Sequence, residues 1–339
     1  RKLKYEAVGI VMSQFTTLCI GTVALLLGQP LLWLIIAFIV SSFLNVLYAS
    51  YILRHKAHVR ITLGWHGPLI KSLLAIAFPF ALAGIFARVY SYSDTVFLSK
   101  LAGDIAVGWY SIPNKITFAF QFIPLALSAA LYPRMSEAFV CDRAHLAYLF
   151  ERAMKYLIIV AMPLAVFLGV LAPEIILTIY TAEYASAIVP MQILLASLIF
   201  AFIDFPVGSL LNGCNRQGRQ TMAMGVAMVV NVAANIMLIP SYGVVGAAIA
   251  AVCGNVTLFV VGYLFVPKIA VIHHSRLLGW ALIAGLLAGA LGVLMWLAKS
   301  IVPWYLTLVI GGVLYCGGLF VTGLVKTEEI RYLLNRVKA

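Results

Sequence analysis

Ten stretches of about twenty mainly apolar residues follow one another along this chain, and no other feature constrains its fold as much. They run roughly over 7–28, 30–53, 72–98, 105–131, 153–172, 186–211, 219–240, 243–267, 278–298 and 303–325. At 1.5 Å per residue, about 20 helical residues cross the ~30 Å hydrocarbon core of a bilayer. In hydrocarbon every backbone N–H and C=O must be paired within the chain, which leaves a helix bundle as the natural solution. The expected fold is all-α, a polytopic membrane helix bundle of about ten transmembrane helices. The third stretch is long enough that it should tilt, kink or end before Asp94.

Composition agrees. Hydrophobic residues make up 64% and charged residues 10% of 339 residues, where a soluble domain carries about 25% charged. The five cysteines (Cys19, Cys141, Cys214, Cys253, Cys316) form no CxxC pair, so no disulfide framework is expected.

The net charge of +12 could suggest nucleic acid, but its distribution argues otherwise. One alternate set of connecting segments, with the termini, holds 19 of the 23 Lys and Arg residues. The opposite set holds only Lys100 and Lys299. Such a bias places both termini in the cytoplasm of a multi-pass protein of the cytoplasmic membrane. The basic residues then hold topology and touch anionic headgroups, and no nucleic-acid partner is expected. The tail "KTEEIRYLLNRVKA" spaces Ile330, Leu333, Leu334 and Val337 as a short surface amphipathic helix.

No enzyme is visible. The segments on the outer side are short, the longest being "APEIILTIYTAEYAS", and there is no P-loop or nucleotide fingerprint. His55, His58, His66, His145, His273 and His274 all fall in predicted cytoplasmic segments without a completing Cys or carboxylate set, so neither metal nor cofactor is expected. "GLLAG" at Gly285 to Gly289 has the small-xxx-small spacing of close helix packing.

What needs explaining is charge inside the apolar runs: Arg88 and Asp94 on the third, Lys115 on the fourth and Asp204 on the sixth. Each costs about 2.5–3.5 kcal/mol to insert on translocon scales, so such groups pair with one another or face a polar cavity. Pairing of Arg88 or Lys115 with Asp94 is the plainer alternative. The cavity is favoured by Asn114, Gln121 and Ser128, seven apart on one helical face with Lys115 a step round, and by Asn231 and Asn235, four apart. Interhelical hydrogen bonding accounts for any one such Asn, and a set of them suits a passage wall. Pro113 and Pro124 each free a helical carbonyl on the same span, as in the bent helices of transporters.

Four stretches, "SDTVFLSKLAGDIAVGWYSIPNKI", "FQFIPLALSAALYPRMSEAF", "NGCNRQGRQ" and "NVAANIMLIPSYGVVGAAIAAVCGN", resemble in order and spacing the polysaccharide or oligosaccharide flippases of the multidrug/oligosaccharidyl-lipid/polysaccharide exporter superfamily. The likeness covers roughly residues 69–255. It implies a two-lobe transporter fold of six plus six helices with two extra. On that mapping 1–68 holds the last two helices of an N-terminal lobe and a cytoplasmic linker. Residues 69–270 form the six-helix C-terminal lobe, 271–325 the extra helices and 326–339 the cytoplasmic tail. A start at "RKLKYE" without Met fits a fragment lacking four upstream helices.

The resemblance further implies movement of a lipid-linked, polyprenyl-diphosphate oligosaccharide across the membrane for surface glycan assembly. Arg88, Lys115, Asp94, Asn114 and Gln121 would bind that substrate, and Asp204 is the candidate for ion coupling. Partners would be the lipid-linked oligosaccharide, membrane lipids and a glycan polymerase or ligase. A drug/cation antiporter of the same superfamily is the alternative, disfavoured by the basic residues. A membrane glycosyltransferase would need a large outer loop.

Overall fold

The structure, a computed structural model, describes residues 3–30, 32–55 and 67–325. It divides into two compact units, residues 1–73 and 74–339.

The first unit is a helical hairpin of α1 (Leu3–Leu26) and α2 (Leu32–His55). Gly28, at φ +64°, takes the left-handed turn that ends α1. The register is antiparallel: Gly9 lies against Asn45 and Tyr48, and Gly21 against Leu34. Between them the Thr17 hydroxyl donates to Ser41 Oγ at 2.8 Å, satisfying polar groups that lipid cannot.

Helix α3 (Gly67–Ala102) runs through Asp94 as one long helix, so of the expected outcomes the early end does not occur. No Gly or Pro stands between Ile85 and Ala102 to stop it. Its end comes at Gly103, with φ +86°. The fourth apolar stretch lies in one candidate span, Asp104–Cys141, built of two helices, α4 (Asp104–Phe120) and α5 (Phe122–Cys141). They part at Gln121, where Pro124 has no N–H to offer the Phe120 carbonyl.

Helix α6 (Arg143–Val170) starts well before residue 153, because Asp142 caps it. The Asp142 carboxylate accepts from the Ala144 and His145 N–H groups at 2.9 and 3.0 Å. Arg143, Glu151, Arg152 and Lys155 are therefore helical, and Glu151 and Lys155 are buried. The segment "APEIILTIYTAEYAS" folds into α7 (Ala172–Ile179) and a 3₁₀ turn (Ala182–Ala187) leading into α8 (Ile188–Gly213).

Helix α9 (Gln217–Tyr263) is two passes joined at Gly243, whose φ of 53° and ψ of −125° no helix contains. Its limbs fold back on each other. Gly246 sits on the Leu238 carbonyl, and a Cβ at Gly254 would lie 3.1 Å from Asn231 Cβ. Helices α10 (His274–Ala298) and α11 (Trp304–Val321) complete the chain. By length and composition, eight stretches among the described residues are able to cross a membrane, counting α9 once. The break at Gly243 makes α9 two limbs within one of these stretches.

The main core lies between α6, α8 and α10. Ala284 and Ala288 present a bare α10 face, and Gly292 meets Val166, where a Cβ would come within 2.5 Å of Cγ1. The close approach is thus carried by Ala284, Ala288 and Gly292; Gly289 of "GLLAG" faces nothing within 4 Å.

Two of the histidines in the predicted cytoplasmic segments are tied down. Glu151 Oε1 accepts from the His273 backbone N–H at 2.8 Å and lies 2.9 Å from its Nδ1, while His274 Nδ1 meets the Tyr263 hydroxyl at 2.8 Å. Lys299, at the end of α10, pairs with Glu174 in the first turn of α7 at 2.9 Å, each charge suiting its helix terminus. His58, His66 and the 326–339 tail lie outside the described residues.

Candidate functional site

Within the second unit, the later part of α3 with α4, α5, α8 and α9 lines a cavity of about 870 Å³. Along α8 its wall runs from Leu194 to Asn212, a length of about 27 Å at 1.5 Å per residue. Arg88, Asp94, Asn114, Lys115, Gln121 and Asp204, singled out from the sequence, all line it. Ser128 and Asn231 join them, so the seven-residue stripe on the fourth span survives the break at Gln121.

The four charges are held very differently. Asp94 is buried, and its partners are neutral. Asn231 and Asn235 donate to Oδ1 at 2.9 and 2.7 Å, and the Tyr110 hydroxyl donates to Oδ2 at 2.8 Å. The Ser93 hydroxyl in turn donates to Asn231 Oδ1 at 2.6 Å. One carboxylate thereby ties α3 to α4 and to α9. The i, i+4 spacing of Asn231 and Asn235 is what lets both amides reach the same oxygen.

Arg88 and Lys115 are exposed. Arg88 reaches the Tyr92 hydroxyl at 3.4 Å, one turn on, with its guanidinium 6.0 Å from that ring. Among the described residues no ion pair joins either cation to a carboxylate, so the pairing with Asp94 considered from sequence does not form. Asp94 sits back among its amides, and the two basic groups are left for other anions.

Asp204 is the fourth charge. Its Oδ1 is buried and lacks a hydrogen-bond partner, as do Ser128 Oγ and Gln220 Oε1 in the same cavity. Gln220 packs at Gly208, one turn from Asp204 on α8, where a Cβ would lie 3.3 Å from its Nε2. Buried polar atoms without partners are few in folded proteins, and three in one cavity mark a place for polar ligand or water.

A second polar chain escaped the sequence reading. The Tyr90 hydroxyl donates to Asn255 Oδ1 at 2.7 Å, and Asn255 Nδ2 reaches Ser197 Oγ at 3.3 Å. Gly254 makes room for it, since a Cβ there would stand 2.6 Å from the Tyr90 ring. Tyrosines inside apolar spans carry no periodic signal, so neither Tyr90 nor Tyr110 was recognisable. Beyond Asp94, an apolar cluster of Leu98, Ala106, Tyr110, Ile239, Val244 and Ala247 fills the space between α3, α4 and the α9 hairpin. Among the described residues no three His, Cys, Asp or Glu side chains gather as a metal site.

Comparison with known proteins places this geometry in context. The family described as "Polysaccharide biosynthesis protein" matches residues 1–189. The sequence is 25% identical over 278 residues to an uncharacterized membrane protein, MJ1068, of Methanocaldococcus jannaschii, covering 79% of this chain and 54% of that one. It is 28% identical over 166 residues to the probable flippase AglR of Haloferax volcanii, covering 48% and 34%. The chain thus spans about half or less of the length of these relatives. In three dimensions it is similar to the lipid II flippase MurJ in an inward closed conformation, with a TM-score of 0.76 at 16% identity over 94% of this chain and 68% of that one. An outward-facing multidrug resistance MATE transporter of the MOP superfamily gives 0.57 at 17% identity over 80% and 62%. At these identities the structural likeness concerns the fold.

Proposed function

The chain belongs to the polysaccharide biosynthesis protein family, and from that premise we propose that it works in a flippase carrying a lipid-linked, polyprenyl-diphosphate oligosaccharide across the cytoplasmic membrane by alternating access. The carried glycan serves cell-surface polysaccharide assembly. The relatives named as flippases support this reading. The observation that carries it is the separation of charge in the cavity: Arg88 and Lys115 exposed and without a carboxylate partner, Asp94 withdrawn into Tyr110, Asn231 and Asn235.

In this mechanism Arg88 and Lys115 hold the diphosphate, since cations in a site partly shielded from water attract phosphate oxygens strongly. Asn114 and Gln121 offer neutral donors and acceptors beside them, suited to the first sugar hydroxyls. The lipid tail stays in the bilayer while the protein rocks around the site. Asp94 acts on substrate only through the position it gives Tyr110 and α4. Asp204, a carboxylate with a partnerless oxygen, is the candidate for coupling to an ion or proton. Both termini of the chain are cytoplasmic, and a glycan polymerase or ligase takes up the product outside.

The test asks where the lipid-linked oligosaccharide sits in cells depleted of this protein. In depleted spheroplasts an outer-leaflet lectin should lose its signal while dye efflux is unchanged, and Arg88→Ala or Lys115→Ala should fail to restore it. Normal export by both variants would sink the assignment of these residues. Unchanged oligosaccharide with lost efflux would favour the antiporter reading, in which Asp94 and Asp204 carry the cation.

A further inference from the structure

A second basic cluster lies outside the cavity wall, where α8 gives way to α9. Arg143 begins α6, Arg216 and Arg219 flank the start of α9, and Lys268 follows its end. Contacts link three of these cations, from three separate segments: Arg219 and Lys268 share one ring and Arg143 reaches the carbonyl beside Lys268. Arg143 donates to the Ile269 carbonyl at 3.1 Å, next to Lys268. Arg219 and Lys268 lie 5.2 and 5.8 Å from the Phe265 ring. Arg143 and Arg216 both act on the Cys214 thiol, which burial nevertheless pushes up to about 11.

The preference of basic residues for one side of a membrane explains which side these four occupy. It does not explain their convergence, since like charges brought together repel unless an anion offsets them. Among the described residues none of the four has an ion pair. Two further features point to a ligand. Arg219 Nη1 is buried without any acceptor, a strong donor awaiting one. Helix α9 also starts beside it with Arg216 at the N-cap and no side chain capping it, while the space around Gly218 is open. Free N–H groups at a helix N-terminus, the positive end of its dipole and two arginines are the recurrent elements of phosphate recognition.

We propose that this corner binds the phosphate of a membrane lipid headgroup. Its neighbours Asn212 and Gln220 line the near end of the cavity, so a phosphate seated here lies beside the passage and outside it. Two headgroups present the required chemistry, the phosphodiester of an anionic phospholipid and the diphosphate of a polyprenyl carrier, and the experiment separates them.

Full-length protein would be examined by native mass spectrometry with phosphatidylglycerol, with phosphatidylcholine as the zwitterionic control, and with a sugar-free polyprenyl diphosphate. Arg216→Gln combined with Arg219→Gln should reduce retention of an anionic lipid at least tenfold and leave phosphatidylcholine unchanged. The corresponding double Lys variant should keep most of it. Selective loss of phosphatidylglycerol assigns the site to bulk lipid, and loss of polyprenyl diphosphate assigns it to the carrier; either supports the proposal. Unchanged retention of both in a variant that unfolds at the wild-type temperature overturns it. Should the double variant not fold, exposed Lys268→Gln serves instead, with about a threefold loss expected and no loss counting against the site. Because retention is read and not export, a negative result here leaves the flippase reading standing.

Discussion

Tyr110 on α4 donates its hydroxyl hydrogen bond to Asp94 on α3 at 2.8 Å, and both residues are buried. This contact sits at the boundary between the polar cavity and the apolar cluster beyond it, because Tyr110 belongs to both. Removing the carboxylate would strand the Tyr110 hydroxyl and two amides, each orphaned donor costing about 1–3 kcal/mol. Asp94→Ala should therefore lower stability by about 3 kcal/mol or more, and Asp94→Asn, which keeps an acceptor, by about 1 kcal/mol. Thermal unfolding of the full-length protein in detergent measures the difference; equal effects of the two variants would refute the donor network as the cause.

Arg88 and Lys115 should behave in the opposite way. Both are exposed and neither is paired to a carboxylate, so Arg88→Ala and Lys115→Ala should change stability by no more than about 0.5 kcal/mol. Transport should nonetheless fall at least tenfold, as loss of a charge-assisted phosphate contact worth about 1.5–3 kcal/mol requires. Unfolding temperature and outer-leaflet lectin signal, taken on the same preparations, check both halves.

The hairpin in α9 depends on two glycines for different reasons. Gly243 combines a positive φ with a ψ of −125°, a region that glycine alone adopts readily, and Gly243→Ala should cost about 1–3 kcal/mol through that backbone alone. Gly246→Ala is a harsher change, because its Cβ would collide with the Leu238 carbonyl. Size-exclusion profiles should show a folded Gly243→Ala protein and little or no monodisperse Gly246→Ala.

Two carboxylate links to α10 should differ in strength. Glu151 is buried and accepts from the His273 N–H, so Glu151→Ala should cost about 1–3 kcal/mol and expose residues 264–276 to protease. Lys299 and Glu174 are 20% and 26% exposed, and Glu174→Ala should cost less than about 1 kcal/mol. Limited proteolysis with unfolding temperatures ranks them; comparable losses would argue against burial as the deciding factor.

The Cys214 thiol, raised to about 11 by burial, stays protonated near neutrality and is enclosed, whereas Cys141 is exposed. In single-cysteine variants a water-soluble maleimide at pH 7 should label Cys141 readily and Cys214 only after unfolding. Because the folded pKa lies above the ordinary thiol value, any labelling of native Cys214 should increase as pH rises towards 11. Rapid native labelling at pH 7 would contradict its burial.

How much of the site was legible follows from what kind of signal each residue gives. Arg88, Asp94, Lys115 and Asp204 stood out because a charge is expensive in hydrocarbon wherever the chain goes, so its presence alone demands a polar setting. Asn114, Gln121 and Ser128 stood out through periodicity, which the break at Gln121 did not destroy. Tyr90, Tyr110, Ser197 and Asn255 gave no such sign. A tyrosine or serine in an apolar span is inexpensive, and its partner lies up to 165 positions away in sequence.

By itself, the sequence determined the helical class, the apolar stretches and the set of charged residues that needed shelter. These follow from local quantities: apolar length against bilayer thickness, Pro and Gly placement, and the cost of a charge in lipid. Only the tertiary structure decided which charges meet. It gave Asp94 to two asparagines and a tyrosine, left Arg88 and Lys115 open to the cavity, extended α6 to bury Glu151, and brought Arg219 and Lys268 to one ring, Phe265. Partner choice depends on the rotation and register of each helix against its neighbours. Those are fixed by small-residue contacts such as Gly246 on Leu238 and Gly292 on Val166, which sum over the whole bundle and leave no mark in any one stretch of sequence.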